Sequence, residues 1–226
     1  MDPVPLLQRT TLFAGVDAAD LEALLPELHH RSFQSGTHIF HEGDPGTHLF
    51  LVLSGEVKIA RTGRAGAEVV FAVLMAGDLF GELALFEEGA TRTADAVAVE
   101  ATECLTLGRR SLITFLHAHP ERMWDVIRIL SEYIRRKDET FAEFAFLDIQ
   151  GRVARKLLEL ARTQGEPAAD GTRIRVRLTQ RTLAGMVAAS RENVNRALSR
   201  FAAQGHIQLK GGYVTVRDVA ALRRRS

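Results

Sequence analysis

The sequence contains a single cysteine, Cys104, among its 226 residues. One thiol excludes an internal disulfide framework and any metal cluster that several cysteines of one chain would hold. No stretch approaches the roughly 18 consecutive apolar residues that a membrane-spanning helix needs. The first residues lack a basic segment followed by an apolar run, so no signal peptide is expected. These absences predict a cytoplasmic protein that does not enter a membrane.

The net charge of +1 conceals a sharp division along the chain. Residues 149–226 hold 16 Lys and Arg against 5 Asp and Glu, a net charge of +11. Residues 1–148 hold 13 against 23, a net charge of −10. Such a division indicates that the C-terminal part faces a polyanion. The alternative is a solvated basic face that ends in the basic tail at 223–225.

Short β-rich runs alternate with glycine turns between residues 36 and 107. The turns lie at 43–46, 54–55, 63–66 and 76–78. The runs are Thr37–His41, His48–Leu53, Glu56–Arg61, Glu68–Leu74, Ala94–Val99 and Glu103–Leu107. Turns at this spacing predict a sandwich or barrel-like β unit. A short helix, which Asp17 can cap, is predicted before it at 17–28.

A long helix is predicted from about 120 to 145, with Pro120 in its first turn. Its apolar residues follow a heptad spacing, and Lys137 occupies the one position where an apolar residue is missing. The apolar positions are Met123, Ile127, Leu130, Ile134, Phe141 and Phe144. So narrow a seam favours pairing with the same helix of a second chain, and the alternative is burial against the β unit.

The segment from Thr179 to Phe201 predicts a helix-turn-helix, preceded by a helix at 151–164 and a loop at 165–171. Thr179 can cap a helix over 180–187, and Ser190 can cap a second helix over 191–202. A helical wheel separates the apolar residues of the second helix from its polar ones. The apolar side holds Val194, Ala197, Leu198 and Phe201, and the polar side holds Arg191, Glu192, Asn195, Arg196 and Ser199.

The polar side of this second helix has the chemistry to read DNA in the major groove. Arginine donates two hydrogen bonds to guanine and glutamate accepts one from cytosine, so Arg191, Glu192 and Arg196 suit G·C-rich steps. The alternatives are a helix-dipole interaction for Glu192 and plain solvation of the arginines. Residues 207–216 predict a hairpin with a Gly-Gly turn, where Lys210 can touch a phosphate.

A second informative segment begins at Gly81 and ends at Thr93. Gly81 permits close backbone approach, and one helical turn after it would point N–H groups at an anion. Arg92 offers a bidentate fork for phosphate oxygens, and Thr93 offers a hydroxyl. Glu82 suits a sugar hydroxyl, so Glu82 and Arg92 fit the two ends of a cyclic nucleotide. The alternative is a turn with a surface ion pair between these two residues.

The sequence resembles the cyclic-AMP receptor protein / fumarate-nitrate regulator family of bacterial transcription factors over nearly its whole length. Three segments carry the resemblance: 81–83 with 92–93, 146–152 and 190–196. It implies an α+β chain with a β-roll (a double-stranded β-helix or jelly roll) at 1–119, a dimerisation helix and hinge at 120–148, and a winged helix-turn-helix at 149–226. It also implies a homodimer that is not an enzyme, and it makes RNA polymerase a partner, with 165–171 as a contact.

The resemblance also implies roles for individual residues. Cyclic AMP would be the effector and no metal is expected. Glu82 would bind the ribose 2′-hydroxyl, while Arg92, Thr93 and the backbone near Leu83 and Ala84 would hold the phosphate. Residues of the recognition helix would read TGTGA-like half-sites of a palindromic operator. The residues implied to contact DNA are Thr179, Gln180, Ser190, Arg191, Glu192, Asn195, Arg196 and Lys210.

The sequence departs from the family pattern at several positions. The family's adenine contacts fall on Lys137 and Asp138 instead of a Thr-Ser or Thr-Asn pair. Ala188 stands where glycine is common, which costs on the order of 1 kcal/mol if its φ is positive. Asn195 replaces a small residue and adds a candidate base or phosphate contact.

The expected mechanism is a two-state equilibrium in which ligand contacts are complete only in the DNA-competent state. Those contacts would come from Glu82 and Arg92 on the β unit and from Lys137 and Asp138 on the helix. A hinge near 148–151 would then place two recognition helices roughly 34 Å apart, one turn of DNA.

Three other interpretations stay open at this stage. One is a regulator of the same fold that needs no effector or binds a different ligand, and another is a haem or gas sensor on the same scaffold. The third is a cupin-like metal enzyme using His38, His41 and His48. Alternation along a strand would place His38 and His41 on opposite faces, which argues against their sharing a metal.

Overall fold

The structure is a computed structural model that describes residues 4–63, 66 and 68–226. Residues 64 and 65 of the predicted turn at 63–66 lie outside the described residues. The chain divides into two compact units. One comprises the chain up to Arg61 with Ala72–Arg135, and the other comprises Thr62–Phe71 with Arg136–Ser226. No helix in the described ranges is long and apolar enough to cross a membrane.

The β-rich part forms two sheets that contain the predicted runs. Its strands are β1 (Leu28–Phe33), β2 (His38–Phe40), β3 (His48–Ser54), β4 (Val57–Thr62), β5 (Glu68–Leu74), β6 (Leu79–Phe80), β7 (Asp95–Ala98) and β8 (Thr102–Gly108). The sheet orders are β1-β8-β3-β6 and β2-β7-β4-β5. Strand β8 pairs antiparallel with both β1 and β3. The predicted sandwich-like β unit is therefore confirmed.

Apolar side chains on β3 and β8 form the centre of the first unit's core. Leu49, Leu51 and Leu107 are almost fully buried there, and they pack with Phe13 from a turn near the N-terminus and with Phe115 from the helix at Arg109–Ala118. Burial of each such side chain contributes about 1.5–3 kcal/mol. The core fixes the position of β3 and β8, and the segment 81–93 begins directly after β6, which pairs with β3.

Two helices precede the strands of the β-rich part in the sequence, and two follow them. They are α1 (Val4–Leu7), α2 (Ala18–Leu24), α3 (Arg109–Ala118) and α4 (Met123–Phe146). The predicted helix at 17–28 is shorter in the structure, because the chain tightens into a 3-10 turn over Leu25–Glu27 and Leu28 already belongs to β1. The long helix α4 follows a 3-10 turn over Pro120–Arg122 and confirms the predicted long helix.

The C-terminal part has the order expected of a winged helix-turn-helix. Its elements are α5 (Ile149–Gln164), β9 (Gly165–Ala168), β10 (Gly171–Ile174), α6 (Gln180–Met186), α7 (Arg191–Ala203), β11 (Ile207–Lys210), β12 (Tyr213–Val216) and α8 (Val219–Arg223). Asp148 caps α5 by accepting a hydrogen bond from the Gly151 N–H at 2.7 Å. Leu157, Leu183 and Phe201 from its helices are buried in the core.

The expectation of a loop at 165–171 is wrong. Residues 165–168 form β9, residues 169–170 form a turn, and Gly171 begins β10. The two strands join β12 and β11 in one sheet of order β11-β12-β10-β9. Pro167 obscured the strand in the sequence, but it is tolerated because β9 lies at the edge of the sheet.

The expectation that His38 and His41 point to opposite faces is also wrong. The pairing of β2 with β7 shifts register between His38 and Phe40, and the strand ends before His41. Regular alternation therefore does not extend to His41. The two imidazole rings instead stack, with their centroids 4.1 Å apart.

Candidate ligand site and DNA interface

The Arg92 side chain is buried and held on several sides. Its Nη1 donates to the Gly81 carbonyl at 2.6 Å, and its Nη2 donates to the His48 carbonyl at 2.7 Å. The guanidinium carbon lies 4.3 Å from the centroid of the Phe40 ring, a cation–π geometry. Its Nε, also buried, has no hydrogen-bond partner among the described residues. Arg92 thus presents one unpaired donor inside a rigid cradle.

Glu82 is the second buried charge of this segment, only 9% exposed. Burial raises the pKa of its carboxyl, against the opposing effects of its own backbone N–H, the Tyr133 hydroxyl and the Arg92 charge. Its Oε1 has no hydrogen-bond partner in the described part of the chain. Because an unpaired buried acceptor is costly, this oxygen is suited to accept from a hydroxyl that a ligand brings.

Burial also affects the pKa of Arg92. Desolvation lowers the pKa of the guanidinium, while the charges of Glu82 and Asp44 raise it. An arginine stays protonated in proteins even so. The segment therefore keeps a positive charge next to a carboxyl group, as an anionic ligand with a hydroxyl would require.

The backbone between these charges is open to an anion. Gly81 has φ +82°, and a Cβ there would lie 2.7 Å from Arg92 Nη1, so only glycine fits. The amides of Leu83 and Ala84 donate no hydrogen bond within the described residues. The residues after Gly81 do not form the predicted helical turn. They form a non-helical turn, in which the Leu85 N–H donates to the Glu82 carbonyl at 3.0 Å.

The remaining residues predicted to contact the ligand are exposed. Thr93 follows Arg92 at the surface of the first unit. Lys137 and Asp138 lie on the second unit's part of α4, where the Lys137 Nζ is 5.9 Å from the centroid of the Phe71 ring. Their roles stay predictions.

The two helices of the helix-turn-helix begin at the predicted caps. Thr179 Oγ1 accepts from the Thr182 N–H at 3.0 Å, and Ser190 Oγ accepts from the Asn193 N–H at 3.3 Å. Between them, Ala188 has φ +45°, the left-handed region that favours glycine. The suspected strain at this turn is therefore confirmed.

The wheel prediction for α7 is confirmed in both halves. Val194, Ala197, Leu198 and Phe201 are buried, whereas the five polar residues, Arg191, Glu192, Asn195, Arg196 and Ser199, are exposed. Hydrogen bonds with its own backbone N–H and with Ser190 lower the pKa of Glu192, so its carboxylate also stabilises the helix start.

Two of these polar side chains are positioned by neighbours. Gln180 Nε2 donates to Asn195 Oδ1 at 2.9 Å, which joins α6 to α7. Arg196 Nη2 donates to Asn193 Oδ1 one turn earlier on the same helix. Hydrogen bonds within the chain therefore already restrict the side chains of Asn195 and Arg196.

The predicted hairpin after α7 is confirmed by β11 and β12. Its turn residues Gly211 and Gly212 have φ +61° and +85°, as a two-residue hairpin turn requires. Lys210 is the last residue of β11 and is exposed beside this turn. A basic side chain at the tip of a hairpin is placed to reach a phosphate.

Comparisons with known proteins agree with this arrangement. The family model of the cyclic nucleotide-binding domain matches residues 30–119, and that of the Crp-like helix-turn-helix domain matches residues 151–225. A CRP-like cAMP-activated global transcriptional regulator of Mycobacterium tuberculosis H37Rv is 36% identical over 221 residues, which cover 98% of each chain. The chain belongs to the CRP/FNR family. It is a DNA-binding transcription regulator with a cyclic nucleotide-binding domain, and not an enzyme.

Other members of the CRP/FNR family match at similar coverage. A cyclic AMP receptor protein of Thermus thermophilus is 34% identical, and the match covers 96% of each chain. The solved structure of the c-di-GMP responsive global regulator CLP of Xanthomonas campestris is 27% identical with a TM-score of 0.74. That match covers 88% of this chain and 99% of CLP.

The sequence analysis did not identify two residues that contact Glu82 and Arg92 in the segment 81–93. Tyr133 interacts with Glu82 from α4, and Phe40 lies against Arg92 from β2. Both are distant from the segment in sequence and lie in apolar patterns, so no local spacing marks them. A tyrosine within the predicted long helix was the one available signal, because a tyrosine hydroxyl usually finds a hydrogen-bond partner when it is buried.

Proposed function

We propose that this chain is a homodimeric regulator whose operator binding is controlled by cyclic AMP bound at the segment 81–93. The observation that carries the proposal is the pair of buried, unpartnered polar atoms, Glu82 Oε1 and Arg92 Nε. An acceptor and a cationic donor in one segment suit a ligand with a hydroxyl at one end and a phosphate at the other. The names of the relatives from M. tuberculosis and T. thermophilus support cyclic AMP as that ligand.

In the proposed complex, Glu82 accepts from the ribose 2′-hydroxyl. The Arg92 guanidinium and the free amides of Leu83 and Ala84 hold the cyclic phosphate, and the Thr93 hydroxyl donates a further hydrogen bond. These contacts stabilise whichever chain conformation completes them, and the affinity for DNA rises by the same coupling free energy.

Calorimetric titration tests the ligand. Cyclic AMP should bind the full-length protein, and Glu82→Gln should weaken binding by about 10–100-fold, the cost of a hydrogen bond to a charged group. The matched control is Glu87→Gln, an exposed acid in the same segment that should leave affinity unchanged. Heat from cyclic di-GMP but not from cyclic AMP would replace the proposed effector. Absence of heat from both, with tight operator binding, would favour a regulator that needs no effector.

For the DNA, we propose that Arg191, Glu192 and Arg196 read a TGTGA-like half-site in the major groove. Thr179, Gln180, Ser190 and Asn195 would position the helix, and Lys210 would contact a phosphate. The supporting observations are the exposed polar face of α7, its capped start and the net charge of +11 over 149–226.

A mobility-shift assay on a TGTGA-containing palindrome tests this assignment. Arg191→Ala with Arg196→Ala should abolish discrimination between the palindrome and a scrambled duplex, since each bidentate contact contributes about 1–3 kcal/mol. Arg200→Ala, an exposed arginine in the last turn of the same helix, is the control for charge alone. Equal discrimination in the double variant and in the control would refute the assignment.

The exposed seam of α4 supports the proposed homodimer. Ile134 is 62% exposed and Phe141 is 77% exposed, and Met123, Ile127 and Phe144 on the same seam are also exposed. A row of exposed apolar side chains of this length marks a protein interface. In sedimentation experiments, Ile134→Glu should yield monomers, whereas Arg135→Glu on another face of α4 should leave the dimer intact. A dimer that persists in the first variant would contradict the seam.

RNA polymerase is the remaining proposed partner, and a chain that binds both it and DNA would work in the cytoplasm. The hairpin of β9 and β10 offers exposed residues at 167–170 for this contact. Ala169→Arg should lower activated transcription in vitro while operator affinity stays the same. Unchanged transcription would exclude this hairpin as the contact.

A further inference from the structure

Three potential metal ligands meet on the surface of the first unit, apart from the segment 81–93. The ring nitrogens of His38 and His41 and a carboxylate oxygen of Asp95 lie within 4.8 Å of one another. The two imidazoles stack with an interplanar angle of 25°, and His41 Nδ1 is 3.6 Å from Asp95 Oδ1. We infer that His38, His41 and Asp95 bind a divalent transition-metal ion of the Zn²⁺ type.

The donor set determines the class of ion. Two imidazole nitrogens and one carboxylate oxygen suit Zn²⁺, Ni²⁺ or Cu²⁺, whereas Mg²⁺ and Ca²⁺ prefer an all-oxygen set. Tetrahedral Zn²⁺ with bonds of about 2.1 Å needs ligand atoms roughly 3.4 Å apart. The His41 side chain is 61% exposed, so it can rotate into this spacing without disturbing the core. Water would fill the fourth position.

The strands and the loop after them bring the ligands together from two directions. His38 pairs with Val97 across β2 and β7, and Val97 shares its face of β7 with Asp95, two residues earlier. The Glu42 N–H donates to Asp95 Oδ1 at 2.9 Å and so orients the carboxylate. A carboxylate accepts at about four lone-pair positions, so it can hold this hydrogen bond and a metal together.

The local charge favours a cation. Asp44 lies beside His41, because its Oδ2 accepts from the His41 N–H at 2.7 Å. Two cations lie nearby, Lys58, which pairs with Val97 across β4 and β7, and Arg61, whose Nε donates to Glu42 Oε2 at 3.0 Å. Asp95 and Asp44 therefore supply negative charge at the histidines, while Arg61 is held by another carboxylate.

A metal here would fasten the segment 41–44 to β7. The same segment holds the backbone of Arg92, since the Arg92 N–H donates to the Asp44 carbonyl at 2.8 Å and the Gly43 N–H donates to the Arg92 carbonyl at 2.9 Å. The ion would act as a structural clamp on this edge of the β-roll. The inference concerns only these residues and does not depend on which ligand the segment 81–93 binds.

The test uses the full-length protein after treatment with a chelator that removes any metal bound during preparation. Calorimetric titration with ZnCl₂ should give one ion per chain, and Co²⁺ should give the visible absorption of a tetrahedral N/O site. His41→Ala and Asp95→Asn should each weaken Zn²⁺ binding at least about tenfold. Zn²⁺ should also raise the midpoint of thermal unfolding of the unmodified chain but not that of Asp95→Asn, a substitution that preserves the shape of the side chain.

The matched control is His30→Ala. His30 Nε2 lies 3.6 Å from Glu103 Oε2, so it is an exposed strand histidine with a carboxylate partner but without a third ligand. Retention of Zn²⁺ binding in this variant, with its loss in His38→Ala, His41→Ala and Asp95→Asn, would support the site. No stoichiometric binding, or equal weakening by His30→Ala, would overturn it.

Discussion

The side-chain amide of Gln180 donates a hydrogen bond of 2.9 Å to Asn195 Oδ1 and so links the two helices of the helix-turn-helix. Gln180 is the first residue of α6, and Asn195 is one of the exposed polar residues of α7. The bond fixes the rotamer of Asn195 before DNA arrives, which reduces the conformational entropy that binding must remove.

Gln180→Ala should therefore weaken operator binding by about 2–10-fold, the equivalent of one neutral hydrogen bond. Fluorescence anisotropy with a labelled operator measures the change. Gln204→Ala removes an equivalent exposed amide at the opposite end of α7 and should have no effect. A loss of affinity in the control as large as in Gln180→Ala would show that the link between the helices does not matter.

The turn between α6 and α7 contains a strained alanine, Ala188, with φ +45°. An L-residue in the left-handed region destabilises the folded state by about 1–2 kcal/mol. A glycine avoids this steric cost, but it costs about 0.5–1 kcal/mol because it loses more conformational freedom on folding. Ala188→Gly should thus raise the free energy of unfolding by about 0.5–1 kcal/mol.

Urea unfolding followed by far-ultraviolet circular dichroism measures this difference. Ala189→Gly is the control, because Ala189 does not have positive φ in the described structure and should lose stability on the same substitution. Equal destabilisation by both changes would contradict a strained Ala188.

Much of this architecture could be predicted because local rules and tertiary packing agree. The caps Thr179 and Ser190, the apolar side of α7 and the Gly-Gly turn each follow from residue chemistry over a few positions. The charge division likewise indicated the part of the chain that carries the helix-turn-helix domain, because a surface that binds a polyanion needs positive charge.

The predictions that failed depend on contacts between distant residues. Leu79–Phe80 is too short to recognise as a strand without its partner β3, and β9 is a strand only because β10 pairs with it. The shift of register in β2 brings His41 beside His38, and a single sequence does not reveal where such irregularities fall. Tyr133 interacts with Glu82 only because α4 passes near the segment 81–93.

Glu82 predicts an unusual dependence of stability on pH. Burial raises its pKa above the ordinary value of 4.5, so the folded chain binds this proton more tightly than the unfolded chain. The free energy of unfolding is then highest when the pH lies below the ordinary pKa of glutamate. It falls as the pH rises through the pKa of Glu82 in the folded chain. At neutral pH, Glu82→Gln should therefore stabilise the protein without ligand, although it weakens binding of the nucleotide.

Denaturant unfolding of both proteins at about pH 4 and pH 7 checks this prediction. The stabilising effect of Glu82→Gln should be present at the higher pH and shrink at the lower one. Glu87→Gln, the exposed control, should show no such pattern. A variant that is less stable at neutral pH would mean that the hydrogen bond with Tyr133 outweighs the cost of burying the carboxylate.

We expect the thiol of Cys104 to react slowly in the folded protein. It is fully buried on β8 beside Val52 and Phe80, and burial raises the pKa of its thiol to about 12. At pH 8 the thiolate fraction is then on the order of one in ten thousand, and only the thiolate reacts. A disulfide reagent should modify one thiol per chain in denaturant but almost none in the native protein over minutes. Rapid stoichiometric modification of the native chain would contradict this.

Lys210 should contribute to DNA affinity without contributing to specificity, because its exposed place beside the hairpin turn suits a phosphate contact and phosphate contacts carry no sequence information. Each phosphate contact that is lost reduces the magnitude of the slope of log affinity against log salt concentration by about 0.9. Because a dimer would lose two such contacts, Lys210→Ala should reduce this magnitude by about 1.8. Anisotropy titrations at several salt concentrations, on the palindrome and on a scrambled duplex, measure both slopes. The loss should be equal on the two duplexes, in contrast to Arg191→Ala, which should affect the palindrome selectively. A loss of affinity for Lys210→Ala that is confined to the palindrome would show that Lys210 contacts bases and not phosphate.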